Sequence, residues 1–323
     1  MGVGSLAVAA VAVAALCLEG AVLARGAAAA VPEGGRGTGG AGSAYGPFAA
    51  GGAAGRADPE AEDRDTRDRD TRDRDTRDRD TRDRDTRDRD TRDRDTREYV
   101  FRDEFSGSEG SPPAPSRWTQ LTGCLWGHRA ERQCYTADGR NARLNGDGHL
   151  VITARRESFT GDHGVRRRYT SARLVSAHAP KSGTVEVRAK VSGWRRGAWP
   201  AIWLLAEPRG GRRHYGEIDL MENGLNGSRW NPEYHVHTDR SSAGGVYDVD
   251  ATRWHVYKVT WSTGRSGRAR FYVDGRFVRS LPYRVPAGTP ARLILNVAVG
   301  SQAGRPARDL RSALTVDYVR MSR

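Results

Sequence analysis

"TVEVRAKV", residues 184–191, alternates apolar and polar side chains along its whole length. Val185, Val187, Ala189 and Val191 fall on one face and Thr184, Glu186, Arg188 and Lys190 on the other, the period-two pattern of a strand with one face buried and one in water. "WHVYKVTW" (254–261), "ARLILNVAV" (291–299) and "ALTVDYVRM" (313–321) continue in the same manner. In "RFYVDGRFV" (270–278), Asp274-Gly275 separates two strand-like runs, and that dipeptide suits the positive φ angles of a two-residue hairpin turn. No segment sustains a 3.6-residue period. About a dozen short strands in one domain predict an all-β fold, a two-sheet β-jelly-roll sandwich.

This pattern occupies residues 98–323, a length ample for one large core. The preceding residues read differently. From Asp63 to Arg97 the unit DRDTR repeats seven times, each copy with two Asp and two Arg. The tract is neutral and has no apolar surface to offset the entropy of ordering, so residues 63–97 are expected to be a disordered spacer. Residues 31–62 read as a Gly/Ala-rich linker. Residues 6–18 form an apolar run of 13, followed by A-x-A choices around Ala27–Ala30. The run is too short to cross a bilayer as a helix, so no transmembrane anchor is expected. Residues 1–30 resemble a signal peptide, although no Lys or Arg precedes the run, and the protein is expected to be secreted, extracellular or held at the cell envelope.

The net charge of +13 lies outside the neutral tract, and only three of the 53 basic residues are lysine. A basic surface favours acidic polymers or cell walls. No zinc-finger spacing, RNA-binding aromatic motif or basic-plus-heptad region accompanies it, so nucleic acid is not an expected partner. Cys17 falls in the leader. Cys124 and Cys134 remain, as one disulfide of an exported domain or as two buried thiols.

"GEIDLMEN" (216–223) carries three carboxylates in an otherwise apolar strand. Alternation puts Glu217 and Asp219 on one face and Ile218 and Leu220 on the other, but strict alternation would send Glu222 to the wrong side. A β-bulge at Leu220–Met221 adds one residue and returns Glu222 to the face of the other two. Three acids on one face repel each other and are costly to desolvate, which a purely structural strand has no reason to accept. Two carboxyls facing one cleft are the apparatus of glycoside hydrolysis, as nucleophile and acid/base of a retaining double displacement. The acid between them can hydrogen-bond the nucleophile and separate the two titrations.

With these residues in view, the chain resembles glycoside hydrolase family 16, the laminarinase-like enzymes on a concanavalin-like jelly roll. The family signature E-[IL]-D-x-x-E stands here as EIDLME. "FRDEF" (101–105), "GHLVITARRE" (148–157), "YTSARLVS" (169–176), "GTVEVRAKV" (183–191), "AWPAIWLL" (198–205), "FYVDGRF" (271–277), "LILNVAVG" (293–300) and "VDYVRM" (316–321) follow in family order. The resemblance implies Glu217 as nucleophile, Asp219 as its assisting acid and Glu222 as general acid/base. It also implies Trp199 and Arg173 as sugar-binding residues and His237 as a cleft histidine, with His235 the competing choice. Core packing is the alternative for Trp199, and the expected place for Trp203. Catalysis of this kind requires no cofactor. A structural calcium near the C-terminal strand is a further implication, with Asp317 the matching carboxylate.

The chain departs from the family at RRHYGE (212–217), at Ala130 where an asparagine is usual, and at SQAGRP (301–306). The expectation is therefore a monomeric endo-acting hydrolase of a polysaccharide, a β-1,3- or mixed 1,3-1,4-glucan. A galactan hydrolase, a transglycosylase and a non-catalytic carbohydrate-binding protein on the same fold are the alternatives.

Overall fold

The structure, a computed structural model, describes residues 98–126, 130–161, 164–207, 215–225 and 230–323. The leader, the Gly/Ala linker and the DRDTR tract lie outside the described residues.

Two sheets face each other. One has ten strands: β15 (Arg276–Pro282), β14 (Arg268–Val273), β13 (His255–Trp261), β8 (Gly183–Ser192), β17 (Arg311–Ser322), β5 (Leu150–Thr160), β6 (Arg166–Ser171) and β3 (Gln133–Tyr135) in spatial order. Two further strands of that sheet pair beside this path, β1 (Tyr99–Asp103) on β17 and β4 (Ala142–Leu144) on β5. The other sheet has seven: β12 (Ser241–Val246), β11 (Glu233–Thr238), β10 (Gly216–Glu222), β9 (Ala198–Ala206), β16 (Ala291–Val299), β7 (Arg173–Ser176) and β2 (Trp118–Leu121). This is the expected jelly-roll sandwich, with more strands than the sequence pattern marks. The extra ones are short, such as β3 and β4 with three residues each, too few for alternation to show. No α-helix occurs among the described residues.

The core fills the space between the sheets. Val185, Val187, Ala189 and Val191 are at most 1 % exposed and share one buried cluster with Ile202, Leu204, Ile218 and Leu220 of the facing sheet. The hairpin between β14 and β15 turns through Asp274 and Gly275, with φ of 49° and 77°. Cys124 and Cys134 are disulfide-bonded, which closes the thiol alternative.

Inside the seven-stranded sheet, β10 breaks register where the carboxylate spacing changes. Against β9, Asp219 pairs with Trp203 and Met221 with Ile202, so Leu220 is the extra residue. Against β11, the register shifts between Asp219 and Glu222. Ile218, Leu220 and Met221 all enter the core, two of them consecutive, and the bulge makes this possible. The Leu220 carbonyl accepts a hydrogen bond from the buried Tyr247 hydroxyl at 2.9 Å. Tyr247 is held in turn by Tyr234, at a ring separation of 4.8 Å, and by Tyr257 at 5.7 Å. Replacing Tyr247 by Phe keeps the ring and strands the carbonyl, so Y247F is expected to lower unfolding stability by about 1–3 kcal/mol, read by chemical denaturation.

Candidate functional site

The outer face of the seven-stranded sheet is built by three adjacent strands. Glu217 sits opposite Leu205 of β9 and His237 of β11, and Asp219 sits opposite Trp203 and His235. Beyond the bulge, Glu222 sits opposite Ala201 and Glu233. A cleft of about 440 Å³ opens there, lined by Trp199, Glu217, Glu222, Glu233, His235, His237, Ser242 and Gln302 among others. Asp219 lies deeper, only 2 % exposed.

Both oxygens of Glu222 are engaged. Trp199 donates its indole N–H to Oε1 at 2.9 Å, and His235 Nδ1 lies 2.9 Å from Oε2. The other His235 nitrogen, Nε2, faces Glu233 Oε2 at 3.3 Å. The imidazole is thus strung between two carboxylates. Burial alone would pull His235 down, but the Glu222 hydrogen bond and the charges of Glu222, Glu233 and Glu217 outweigh it and raise its pKa. The neighbouring strand leaves room for this ring through Gly244, where an added Cβ would lie 2.0 Å from His235 Cδ2.

Glu217 is hydrogen-bonded by the Tyr215 side chain. Burial, followed by the charge of Glu222, outweighs that bond and the attraction of Arg173, and pushes the Glu217 carboxyl up to about 7. Asp219 is pushed well above the usual carboxylate range, first by burial and then by the charges of Glu217 and Glu222. Its Oδ2 has no hydrogen-bond partner and lies 3.5 Å from His237 Nε2. The hydrogen bond on Glu217 thus comes from Tyr215, whereas the sequence suggests that Asp219 can supply it. His237 is pulled down by burial and then by His235, and its Nδ1 is bonded to Ser242 Oγ at 2.9 Å.

Both histidines therefore line the cleft, and it is His235 that touches Glu222. Trp199 also lines it, with its N–H committed to Glu222. Trp203 is a correction: it is half-buried on the outer face rather than in the core, because it shares the parity of Trp199 on β9. The Arg173 guanidinium lies over its ring at 4.7 Å and over the Trp126 ring at 4.8 Å. The Trp203 N–H donates to Asn296 Oδ1 at 2.7 Å, and Asn296 reaches the Tyr135 hydroxyl at 3.1 Å. Arg173 lies outside the residues that line the cleft and acts on Glu217 through its charge.

Asp317 does not fit a calcium ligand. It lies on β17 in the other sheet, where Arg188 Nη1 occupies its Oδ2 at 2.5 Å and His149 faces Oδ1 at 3.8 Å. Lys190 lies beside the same cluster, over the Trp254 ring that Arg188 also covers. A carboxylate already neutralised by a guanidinium, in basic surroundings, lacks the anionic oxygen cage that calcium requires.

Glu233, Tyr215, Ser242 and Gln302 were not singled out from sequence. Only Glu233 carried a signal, since in "EYHVHT" it shares a face with His235 and His237. Gln302 sits on a short 3-10 turn in the divergent SQAGRP segment.

A sandwich whose open face holds these carboxylates in a cleft is that of a glycoside hydrolase. Residues 130–320 match the model of glycosyl hydrolases family 16. A beta-glucanase of Rhodothermus marinus is 35% identical over 260 residues, covering 70% of this chain and 85% of that protein. The X-ray structure of the laminarinase from the same organism superposes with a TM-score of 0.61 at 34% identity, over 70% of this chain and 97% of that one. A keratan-sulfate endo-1,4-beta-galactosidase of Sphingobacterium multivorum is 31% identical over 249 residues, 69% of this chain and 54% of that protein. The chain belongs to glycosyl hydrolases family 16.

Two measurements probe the site. Glu217 is held above its unfolded pKa, so its burial costs nothing while the carboxyl is protonated in both states. The cost appears as pH rises past about 4.5 and is complete above about 7. Glu217→Gln is accordingly expected to raise the melting temperature by several degrees at pH 8 and to leave it unchanged at pH 4. His235→Ala removes the imidazole that bonds the Glu222 carboxyl and is expected to lower kcat about 10–100-fold, measured by steady-state kinetics.

Proposed function

We propose that the protein is a secreted, retaining, endo-acting hydrolase of a β-1,3- or mixed β-1,3-1,4-glucan, working as a monomer without a cofactor. The observation that carries the mechanism is the bulge in β10, which lets Glu217 and Glu222 line one cleft although they are five positions apart. Two carboxyls across a glycosidic bond suit a double displacement. Glu217 attacks the anomeric carbon as Glu222 gives its proton to the departing glycosidic oxygen. The bond to the leaving sugar breaks and a glycosyl ester of Glu217 forms. Glu222 then takes a proton from water, whose oxygen attacks the same carbon and releases Glu217.

Glu217 must be ionised to attack, and burial pushes its carboxyl up to about 7, so the nucleophile forms as the pH approaches that value. Burial and mutual repulsion oppose three simultaneous anions, so the cluster retains protons near neutrality. Esterification removes the charge on Glu217 as Glu222 gives up its proton, so the cleft holds the same number of anions before and after the step. Asp219, beneath them, is held well above the usual carboxylate range by burial and then by the charges of Glu217 and Glu222. Trp199 and His235 hold the Glu222 carboxyl from both oxygens and fix its rotamer.

The glucan substrate is supported by the likeness to the Rhodothermus marinus beta-glucanase and laminarinase. Likeness to the keratan-sulfate galactosidase, together with the net charge of +13, supports a sulfated galactan as the second reading. The apolar run 6–18 supports export.

Incubating the full chain with laminarin, mixed-linkage glucan, agarose and keratan sulfate separates these readings by reducing-end release. Release from laminarin or mixed-linkage glucan, with the β-anomer appearing first in proton NMR and no release by Glu217→Gln, is the expected result. Release from agarose or keratan sulfate alone would transfer the assignment to galactans, and an α-anomer first would overturn retention.

A further inference from the structure

Three side chains at the cleft also form a set of metal-type donors, apart from any part they take in hydrolysis. Asp219, His235 and His237 each offer one ligand atom, and these atoms all lie within 4.8 Å of one another. The two histidines are at i and i+2 on β11, on one face, and Asp219 pairs with His235 across the strand boundary. Asp219 Oδ2 is buried and has no hydrogen-bond donor, which is a poor arrangement for an oxygen unless a cation meets it. His237 Nε2 lies 3.5 Å from that oxygen, on a ring whose Nδ1 is already tied to Ser242. His235 has a carboxylate at each nitrogen, so whichever one bound a metal, the other would keep an orienting carboxylate. Imidazoles braced in this way by a hydroxyl or a carboxylate are the usual support of metal-ligating histidines.

We propose that Asp219, His235 and His237 form a binding site for a divalent transition ion of the zinc type, and that the bound ion inhibits the enzyme reversibly. Two imidazoles and one carboxylate suit zinc or copper rather than calcium or magnesium, which take oxygen ligands. Metal–ligand distances of about 2.0–2.2 Å put tetrahedral donors roughly 3.5 Å apart, so the widest pair must close by about 1.3 Å, within reach of side-chain rotation. Binding through His235 would take a nitrogen from Glu222 or Glu233 and set a dication against the carboxylates that hydrolysis needs. The inhibition rests on the glucanase reading; the binding does not.

Titration calorimetry of the chelator-treated full chain with Zn²⁺ tests the site without substrate. One tight site is expected, weakened at least 100-fold in His237→Gln and Asp219→Asn and about 10-fold in Ser242→Ala, the range for loss of an outer-shell partner. Ser242→Ala keeps all three ligands, so it remains informative if either ligand variant fails to fold. Zn²⁺ should also inhibit laminarin hydrolysis competitively, with full recovery on adding chelator. Unchanged Zn²⁺ affinity in Ser242→Ala and in whichever ligand variants fold overturns the site, as does equal affinity for Mg²⁺. Zinc binding with no hydrolysis of laminarin or mixed-linkage glucan by the zinc-free chain upholds the site and removes the glucan reading, whereas hydrolysis without zinc binding does the reverse.

Discussion

The hydrogen bond from the Tyr247 hydroxyl to the Leu220 carbonyl holds the irregularity on which the site depends. A bulge leaves backbone groups out of the ladder, and at the centre of a buried sheet those groups must find partners. Tyr247 supplies one from within the core, inside a cluster of Tyr234, Tyr257 and Phe271. With Leu220 accommodated, Met221 can also point inward and Glu222 turns out beside Glu217. The same aromatic cluster therefore stabilises the sandwich and aims the carboxylates.

Crowding of charge is the second constraint. Three acids on one strand would expel each other from a dry face if all were ionised. The protein compensates with the charge of Arg173, Tyr215 on Glu217, and His235 between Glu222 and Glu233. Arg173 itself lies against two tryptophan rings, Trp126 and Trp203, and the hydrogen-bond chain from Trp203 through Asn296 to Tyr135 anchors the second to the other sheet. The cleft's electrostatics thus extend well beyond the six-residue motif.

The opposite sheet has a simpler task. Asp317, Arg188, His149 and Trp254 form a compact surface cluster in which a guanidinium neutralises the carboxylate. This brace joins β17 to β8 at the middle of the ten-stranded sheet.

Much of this was legible in the sequence. Alternation in 184–191 and the Asp274-Gly275 turn determined the all-β sandwich, because side-chain parity and turn φ are local properties. The change of spacing in EIDLME determined the bulge, since apolar Ile218, Leu220 and Met221 can all be buried only if parity breaks there. Parity would also have put Trp203 and Glu233 on the cleft face, had it been applied to β9 and β11. What only the tertiary structure decided was contact between strands: that His235 rather than His237 touches Glu222, that Tyr215 bonds Glu217, that Arg188 claims Asp317, and that Cys124 meets Cys134. Pairing depends on register and on distances between segments remote in the chain, and no local pattern encodes those.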